Sequence, residues 1–393
     1  MTIMEQGRSR RRIAAVAAVA AGVALVAAGC GSSKSAATQE SSARSVDVSI
    51  VLTSKGCAPT PSTIPAGHVN FAVSNKNAGA VSEAELRTSN LSHILGEQEN
   101  LTPGLSGAFA LDMQPGAYKI NCPGASQPHW TLTVTGKATG PAWPAKPQLV
   151  AAVSSYATYV NRNAADLVGH TRTFCAAIDA GHLAAAELLY SPARIYYEHI
   201  EPVAEIWGSL DTDIDGRLGN PVTDPTKFVG FHKIEHLLWE DDTLTGAAKY
   251  CSGLVANEKQ LQTLVSTAQY SPLEMSAGAT DLINEAATSK ITGEEERYSN
   301  VDLPTLQANV DGAMEVVNLL QPYLTVHDPA LVSLIGQRDQ GVDRALAPYK
   351  AQPGYLHTGY VEYSTVLDAG RKSLSGAINA FAEALSEISG QVG

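Results

Sequence analysis

The chain has 393 residues, with 39 Asp and Glu against 27 Lys and Arg, and a formal net charge of −12. That balance argues against binding nucleic acid or an anionic membrane through a basic surface, and it suits attraction of cations. The length is ample for two hydrophobic cores.

Arg8, Arg10, Arg11 and Arg12 form a positive head ahead of an apolar run over residues 13–28. The run is short for a bilayer span and small residues follow it, the pattern of a secretory signal. Val26, Ala27, Ala28 and Gly29 directly before Cys30 resemble a bacterial lipobox, in which Cys30 is acylated and becomes the first mature residue. The alternative is plain cleavage near Ala27 and a soluble protein. Residues 30–45 are rich in Ser, Ala and Gly and read as a flexible tether, which suits the lipid anchor. Losing residues 1–29 removes four Arg and Glu5, so the mature chain stands near −15. An exported protein of this kind sits on the outer face of the cell membrane. Cys57, Cys122, Cys175 and Cys251 remain, an even number for an oxidising compartment, and two disulfides are the plain expectation.

Residues 46–136 show period-two alternation. Val46 to Leu52, Val69 to Val73, Gly116 to Ile120 and Trp130 to Val134 each alternate, divided by turns at Pro65 and Pro115. This predicts an all-β sandwich. Gly136 to Pro147 holds three prolines and two glycines, and residues 137–148 read as a semi-rigid linker. From residue 149 to 393 the pattern turns helical, with apolar periodicity over 149–180, 183–190, 254–268, 277–291, 303–324, 329–348 and 363–388. This predicts an all-α bundle of seven to nine helices.

The helical half carries the strongest chemical signal. His232 and Glu235 stand three apart beside an apolar stripe of Phe231, Ile234 and Leu238, so they share a helical face and one ion can take both. Asp224 and Pro225 supply a helix start. Upstream, Glu198, Glu201 and Glu205 fall at i, i+3 and i+7, an acidic face that a shared cation would relieve, and Pro202 predicts a kink beside them. Asp211, Asp213 and Asp215 open like a calcium loop, but Val222 stands where the bidentate Glu belongs, so an EF-hand is rejected.

As an ordered set, residues 194–205, the Asp-rich turn to Arg217, Gly230 to Glu235, Lys290 to Ser299 and Ala308 to Ala313 resemble the imelysin-like domain of EfeO-type iron-uptake proteins. These often carry a cupredoxin-like domain in front, so the resemblance covers nearly the whole mature chain. It implies metal ligation by His232, Glu235, Glu198, Glu201 and Asp215, with Asp211 and Asp213 as competitors for the last place. It also implies iron (Fe(II) or Fe(III)) as cargo, and a membrane permease and a haem-dependent peroxidase as partners. The chain departs from the family after Ser299, where Asn300 stands in place of a His.

In the sandwich, Cys122 lacks the following His and Met of a blue-copper loop. Cys57 and Cys122 with Glu83, Glu85, Glu97 and Glu99 are the candidates there, as a mixed site for copper or a second iron. A Cys57–Cys122 disulfide is the alternative. The expectation is a binding and delivery protein rather than an enzyme, with oxidation of Fe(II) before transfer as an accompanying step. Two other functions are the alternatives. A metallopeptidase of the His-Glu-x-x-His kind would need its Glu where Lys233 stands, although His232 and His236 have the right spacing. A metal-dependent polysaccharide binder would use a groove near Tyr355, Tyr360 and Tyr363.

Overall fold

The computed structural model describes residues 46–89, 91, 94–99, 101–137, 145–219, 221–351 and 358–392. The signal, Cys30, the tether up to residue 45, residues 138–144 of the Pro/Gly stretch and Tyr355 lie outside the described residues.

The first half is a two-sheet sandwich. One sheet has the order β2-β1-β4-β7, from Pro59–Thr60, Val46–Leu52, Gly67–Asn75 and Ser106–Met113. The other has the order β3-β9-β8-β5-β6, from Thr63–Pro65, His129–Thr135, Gly116–Asn121, Ala84–Thr88 and Ile94–Gln98. β1 and β4 run parallel, while β4–β7, β5–β6, β5–β8 and β8–β9 are antiparallel. The alternation seen in the sequence faces inward at Val48, Ile50, Leu52, Phe71, Val73, Leu86, Ile120 and Leu132, all buried. Burying such side chains contributes about 1.5–3 kcal/mol each.

The second half is helical. Among the described residues it holds eleven α-helices, of which seven run sixteen residues or more. These are α1 (Pro147–Asp179), α2 (Leu183–Glu198), α6 (Ala247–Val265), α7 (Pro272–Thr288), α8 (Asp302–His327), α9 (Pro329–Leu346) and α10 (Asp368–Ser386). The short ones are α3 (Glu201–Ala204), α4 (Ser209–Asp215), α5 (Gly230–Glu235) and α11 (Ser389–Val392). α1 buries Leu149, Ala152, Tyr156, Val160, Ala164 and Leu167, one stripe at helical spacing. Ser271 and Glu274 close a reciprocal capping box at the start of α7, with Pro272 in the first turn. Cys175 of α1 and Cys251 of α6 form a disulfide. The sandwich meets the bundle where β6 and β7 lie against α7, and where β6 lies against the turn at 205–207.

Candidate metal centre

The helix that carries His232 starts later than Asp224 suggested. Asp224 does act as a cap, accepting from the Thr226 amide, but it closes only a single turn at 225–227. α5 begins at Gly230, whose φ is +79°. A side chain there would run into the Asp213 and Ile214 carbonyls, so glycine lets the two backbones touch. This brings α5 onto α4 and sets His232 beside Asp215. α5 continues as a π-type turn over His236–Glu240.

Glu198 and Glu201 do not share one helix. α2 ends at Glu198, the chain turns through His199 and Ile200, and α3 restarts at Glu201 with Pro202 in its first turn. The kink expected at Pro202 is therefore a full break, because proline has no amide for continuing the α2 ladder. The two carboxylates still converge. Asn309 of α8 donates to Glu198 Oε2 at 2.7 Å and to Glu201 Oε2 at 2.9 Å. The turn fits because Gly312 of α8 and Gly278 of α7 present bare backbone to the His199 and Pro202 carbonyls.

His232 lies at the centre, 1% exposed. Its Nδ1 stands 2.9 Å from Glu235 Oε2. Glu235 Oε1 accepts from the Tyr298 amide, the Ser299 amide and the Ser299 hydroxyl at 3.0, 2.8 and 2.8 Å. Both oxygens of Glu235 are thus engaged, and the carboxylate sits behind the ring. The other ring nitrogen, Nε2, faces Asp215 Oδ1 at 3.6 Å and Glu295 Oε1 at 3.9 Å. Three sets of ligand atoms close enough to share an ion occur among the described residues: Asp215, His232 and Glu295; His232, Glu235 and Glu296; and Glu198, Glu201 and Glu295.

Two protein cations stand inside this ring of acids. Arg194, 1% exposed, bonds Asp215 at 2.7 and 2.8 Å, Glu295 at 2.6 Å and Glu296 at 3.0 Å, and also Glu198. Its Nη2 lies 3.3 Å from His232 Nε2. Lys290 reaches Glu201 at 2.5 Å and Glu198 at 3.4 Å. Arg217 pairs with Glu295 and, at 3.3 Å, with Glu285. Burial alone would raise the Asp215 pKa, but Arg194 and His232 outweigh it and hold the carboxyl below its usual range. Burial and Arg194 push the His232 pKa down, yet Asp215 and Glu235 prevail and it rises. Burial and the Glu198 charge push Glu201 well up.

All five helical-domain residues singled out from the sequence therefore come together: His232, Glu235, Glu198, Glu201 and Asp215. Of the competitors, Asp211 accepts from the Tyr197 hydroxyl and stays outside the three sets, as does Asp213. The side chain of Glu205 is not among those described. Sequence reasoning missed Glu295, Glu296, Arg194, Lys290 and Asn309 as members. Each lay inside a segment that carried the resemblance, and the run Glu294-Glu295-Glu296 was the available signal.

The sandwich candidates behave differently. Cys57 and Cys122 are joined in a disulfide inside the core, so neither offers a thiolate, and the mixed thiolate–carboxylate site is not formed. Glu85 is committed to Arg87, at 2.9 Å through Nη2, and to Asn121. Glu97 stands opposite Glu85 across β5 and β6. Glu83 and Glu99, just beyond the ends of these strands, share a side-chain hydrogen bond. Burial and Glu85 push the Glu83 pKa up to about 7. Glu83, Glu97 and Glu99 line pockets shared with the helical domain.

His236 does not join His232. Its Nδ1 faces Asp241 at 3.0 Å and its ring packs edge-on against Tyr298. Lys233 lies over the rings of Phe228 and Tyr250. The paired histidines and general base of a zincin are therefore not assembled.

Comparison with known proteins agrees with this architecture. Residues 152–388 match the Imelysin family model, and residues 19–134 match the Cupredoxin-like domain model. The chain is 38% identical over 351 residues to the iron uptake system component EfeO of Yersinia pseudotuberculosis, covering 88% of this chain and 91% of the relative. Against the iron uptake system component EfeO of Escherichia coli O1:K1 it is 36% identical over 351 residues, with the same coverage. A crystal structure described as an iron-regulated protein A precursor from Parabacteroides distasonis shares the fold, with a TM-score of 0.50 at 14% identity, over 63% of this chain and 96% of that one. The chain belongs to the EfeO family of iron uptake system components, with a cupredoxin-like domain followed by an imelysin domain.

Proposed function

We propose that the chain is the lipid-anchored, extracytoplasmic iron-binding component of an EfeUOB-type uptake system, taking up iron and delivering it to a membrane permease alongside a haem-dependent peroxidase. The relatives' names support the iron-uptake role. The observation that carries the reading is a buried imidazole nitrogen set among an excess of carboxylates. Among the described residues, Glu198, Glu201, Asp215, Glu235, Glu295 and Glu296 face Arg194, Lys290 and Arg217 as permanent cations. That excess favours an ion of charge two or three, and oxygen donors with one imidazole suit iron.

His232 Nε2, Asp215 and Glu295 are the ligands on this reading. Glu235 acts through the ring, fixing Nδ1–H so that Nε2 keeps its lone pair for metal, the usual role of a carboxylate behind a metal-bound histidine. Arg194 stands in for the ion. Iron at Nε2 requires the guanidinium to shift, and its return on release spares the acids mutual repulsion. A cluster whose acids keep a protein cation beside them when the ion leaves gives it up more readily than one left bare.

Calorimetric titration of the mature protein with iron tests this. His232→Ala with Glu235→Ala should abolish tight binding, and Glu235→Gln alone should weaken it by about 10- to 100-fold. Unchanged affinity in the double variant refutes the assignment. Peptide cleavage that is lost on chelation would instead favour the peptidase reading.

A further inference from the structure

An ion bound at the buried centre needs a way in. Glu198, His232, Glu235, Glu295 and Glu296 are each 1% exposed or less. Two other members, Glu201 and Asp215, reach the wall of a cavity of about 390 Å³ between the sandwich and the bundle. Arg217 lines the same cavity, whereas Arg194 and Lys290 do not. We propose that Arg217 is the gate of the centre: its guanidinium covers Glu295 while the centre holds no ion, and turns onto Glu285 to let iron pass in from the cavity.

Local structure puts Arg217 at this threshold. Asp215 ends α4, and two residues later Arg217 opens a short strand, Arg217–Leu218, paired with Pro221–Val222. The Arg297 guanidinium donates to the Leu218 carbonyl at 3.1 Å and anchors this backbone. Val222 is buried beneath it. A fixed backbone under a long side chain makes a swinging group rather than a moving loop.

Arg217 bonds one acid on each side of the threshold. Its Nη1 pairs with Glu295 Oε2, inside, and its Nη2 donates to Glu285 Oε1 at 3.3 Å, on the cavity wall. Among the described residues, Glu285 Oε2 accepts no hydrogen bond, and the Lys290 ammonium stands 3.9 Å from it. A guanidinium presents parallel N–H groups that fit both oxygens of one carboxylate. Arg217 can therefore leave Glu295 and take the free oxygen of Glu285, exchanging one charge-assisted bond for another.

The two positions treat a cation differently. With Arg217 on Glu295, a positive charge stands beside the carboxylate whose other oxygen lies 3.9 Å from His232 Nε2, and it repels an incoming ion. With Arg217 on Glu285, Glu295 Oε2 is released, and Glu201 and Asp215 lead to it from the cavity. The gate rests on the assignment of His232, Asp215 and Glu295 as iron ligands, and it adds the route by which iron reaches them.

Rates test it. The full mature chain is mixed with iron(II) without oxygen; stopped-flow tryptophan fluorescence follows association, and capture by ferrozine follows dissociation. A gate sets one barrier for entry and exit, so altering it moves both rates the same way. A charge that merely sits near the ion moves them in opposite ways. Arg217→Gln should speed both rates by about tenfold. Glu285→Gln, whose amide offers the guanidinium one oxygen instead of two, should slow both. If Arg217→Gln speeds entry but slows exit, and Glu285→Gln does the reverse, Arg217 acts through charge alone and the gate is overturned. Unchanged rates in both variants overturn it as well. Failure of the ligand assignment reads differently: iron affinity then survives in His232→Ala with Glu235→Ala, and the gate falls with it.

Discussion

Arg194 is the residue on which the buried centre turns. Its guanidinium contacts four carboxylates in the protein interior, and nothing in a pattern of metal-ligand spacings predicts a cation there. Removing one partner from a buried ionic network typically costs about 3–5 kcal/mol, because the remaining charges are left uncompensated. Arg194→Gln should lower the stability of the metal-free protein by about that amount in urea denaturation. Added iron should restore more of it than in the wild type, since a cation then replaces the one removed. A variant that stays equally unstable with and without iron would show that Arg194 does not stand in for the ion. Glu258 gives a separate prediction. It is fully buried against Thr171, and burial pushes its pKa well up despite that hydrogen bond and Arg172. A carboxyl with a raised folded pKa holds its proton longer when folded, so stability falls as pH rises from the unfolded value toward the folded one. Glu258→Gln should therefore stabilise the protein at neutral pH, with the gain vanishing below the ordinary carboxylate range. Thermal melts at several pH values would reveal it.

At the level of elements, the site depends on close backbone contacts made through glycine. Gly312 sits within α8, where alanine would favour the helix by about 1 kcal/mol. Its missing side chain, however, is where the His199 backbone lies, at 2.6 Å from a would-be Cβ. A clash with backbone cannot be relieved by a rotamer change, so the packing cost of about 1–3 kcal/mol exceeds the propensity gain. Gly312→Ala should lower the melting temperature and, by lifting the α2–α3 turn away from Asn309, weaken iron binding as well. Much of this was legible from the chain. Gly312 and Asn309 lie in one of the five segments that resembled the family, and the shared face of His232 and Glu235 follows from their spacing. The break between Glu198 and Glu201 was not, because an i, i+3 pair reads as one helical face whether or not the helix continues. Nor was the start of α5, since the Asp224 cap is genuine but closes a different turn.

At the scale of the whole molecule, the α1–α6 disulfide holds together helices 76 residues apart in sequence. Replacing Cys175 and Cys251 with alanine should cost roughly 4 kcal/mol by the chain-entropy relation for a loop of that length. The denaturation midpoint of the double variant would measure it. The sandwich, by contrast, carries its own disulfide in place of a thiolate site. Glu83, Glu97 and Glu99 instead line pockets shared with the bundle.

Periodicity alone determined that a sandwich precedes a bundle, since alternation and helical spacing are local properties of the chain. The spacing of His232 and Glu235, with the acids upstream, likewise put the candidate ligands in the helical half. Tertiary structure decided the rest. It paired Cys57 with Cys122, set Glu235 behind the imidazole, brought Glu295 to its front and put Arg194 and Lys290 among the acids. Each of these is a contact between segments distant in sequence, and such contacts follow from how α2, α4, α5 and α8 pack, which no local pattern records. Direction matters as much as proximity here. A carboxylate three residues from a histidine shares its face in any helix, but only the Tyr298 and Ser299 amides show which of its oxygens remains for the ring.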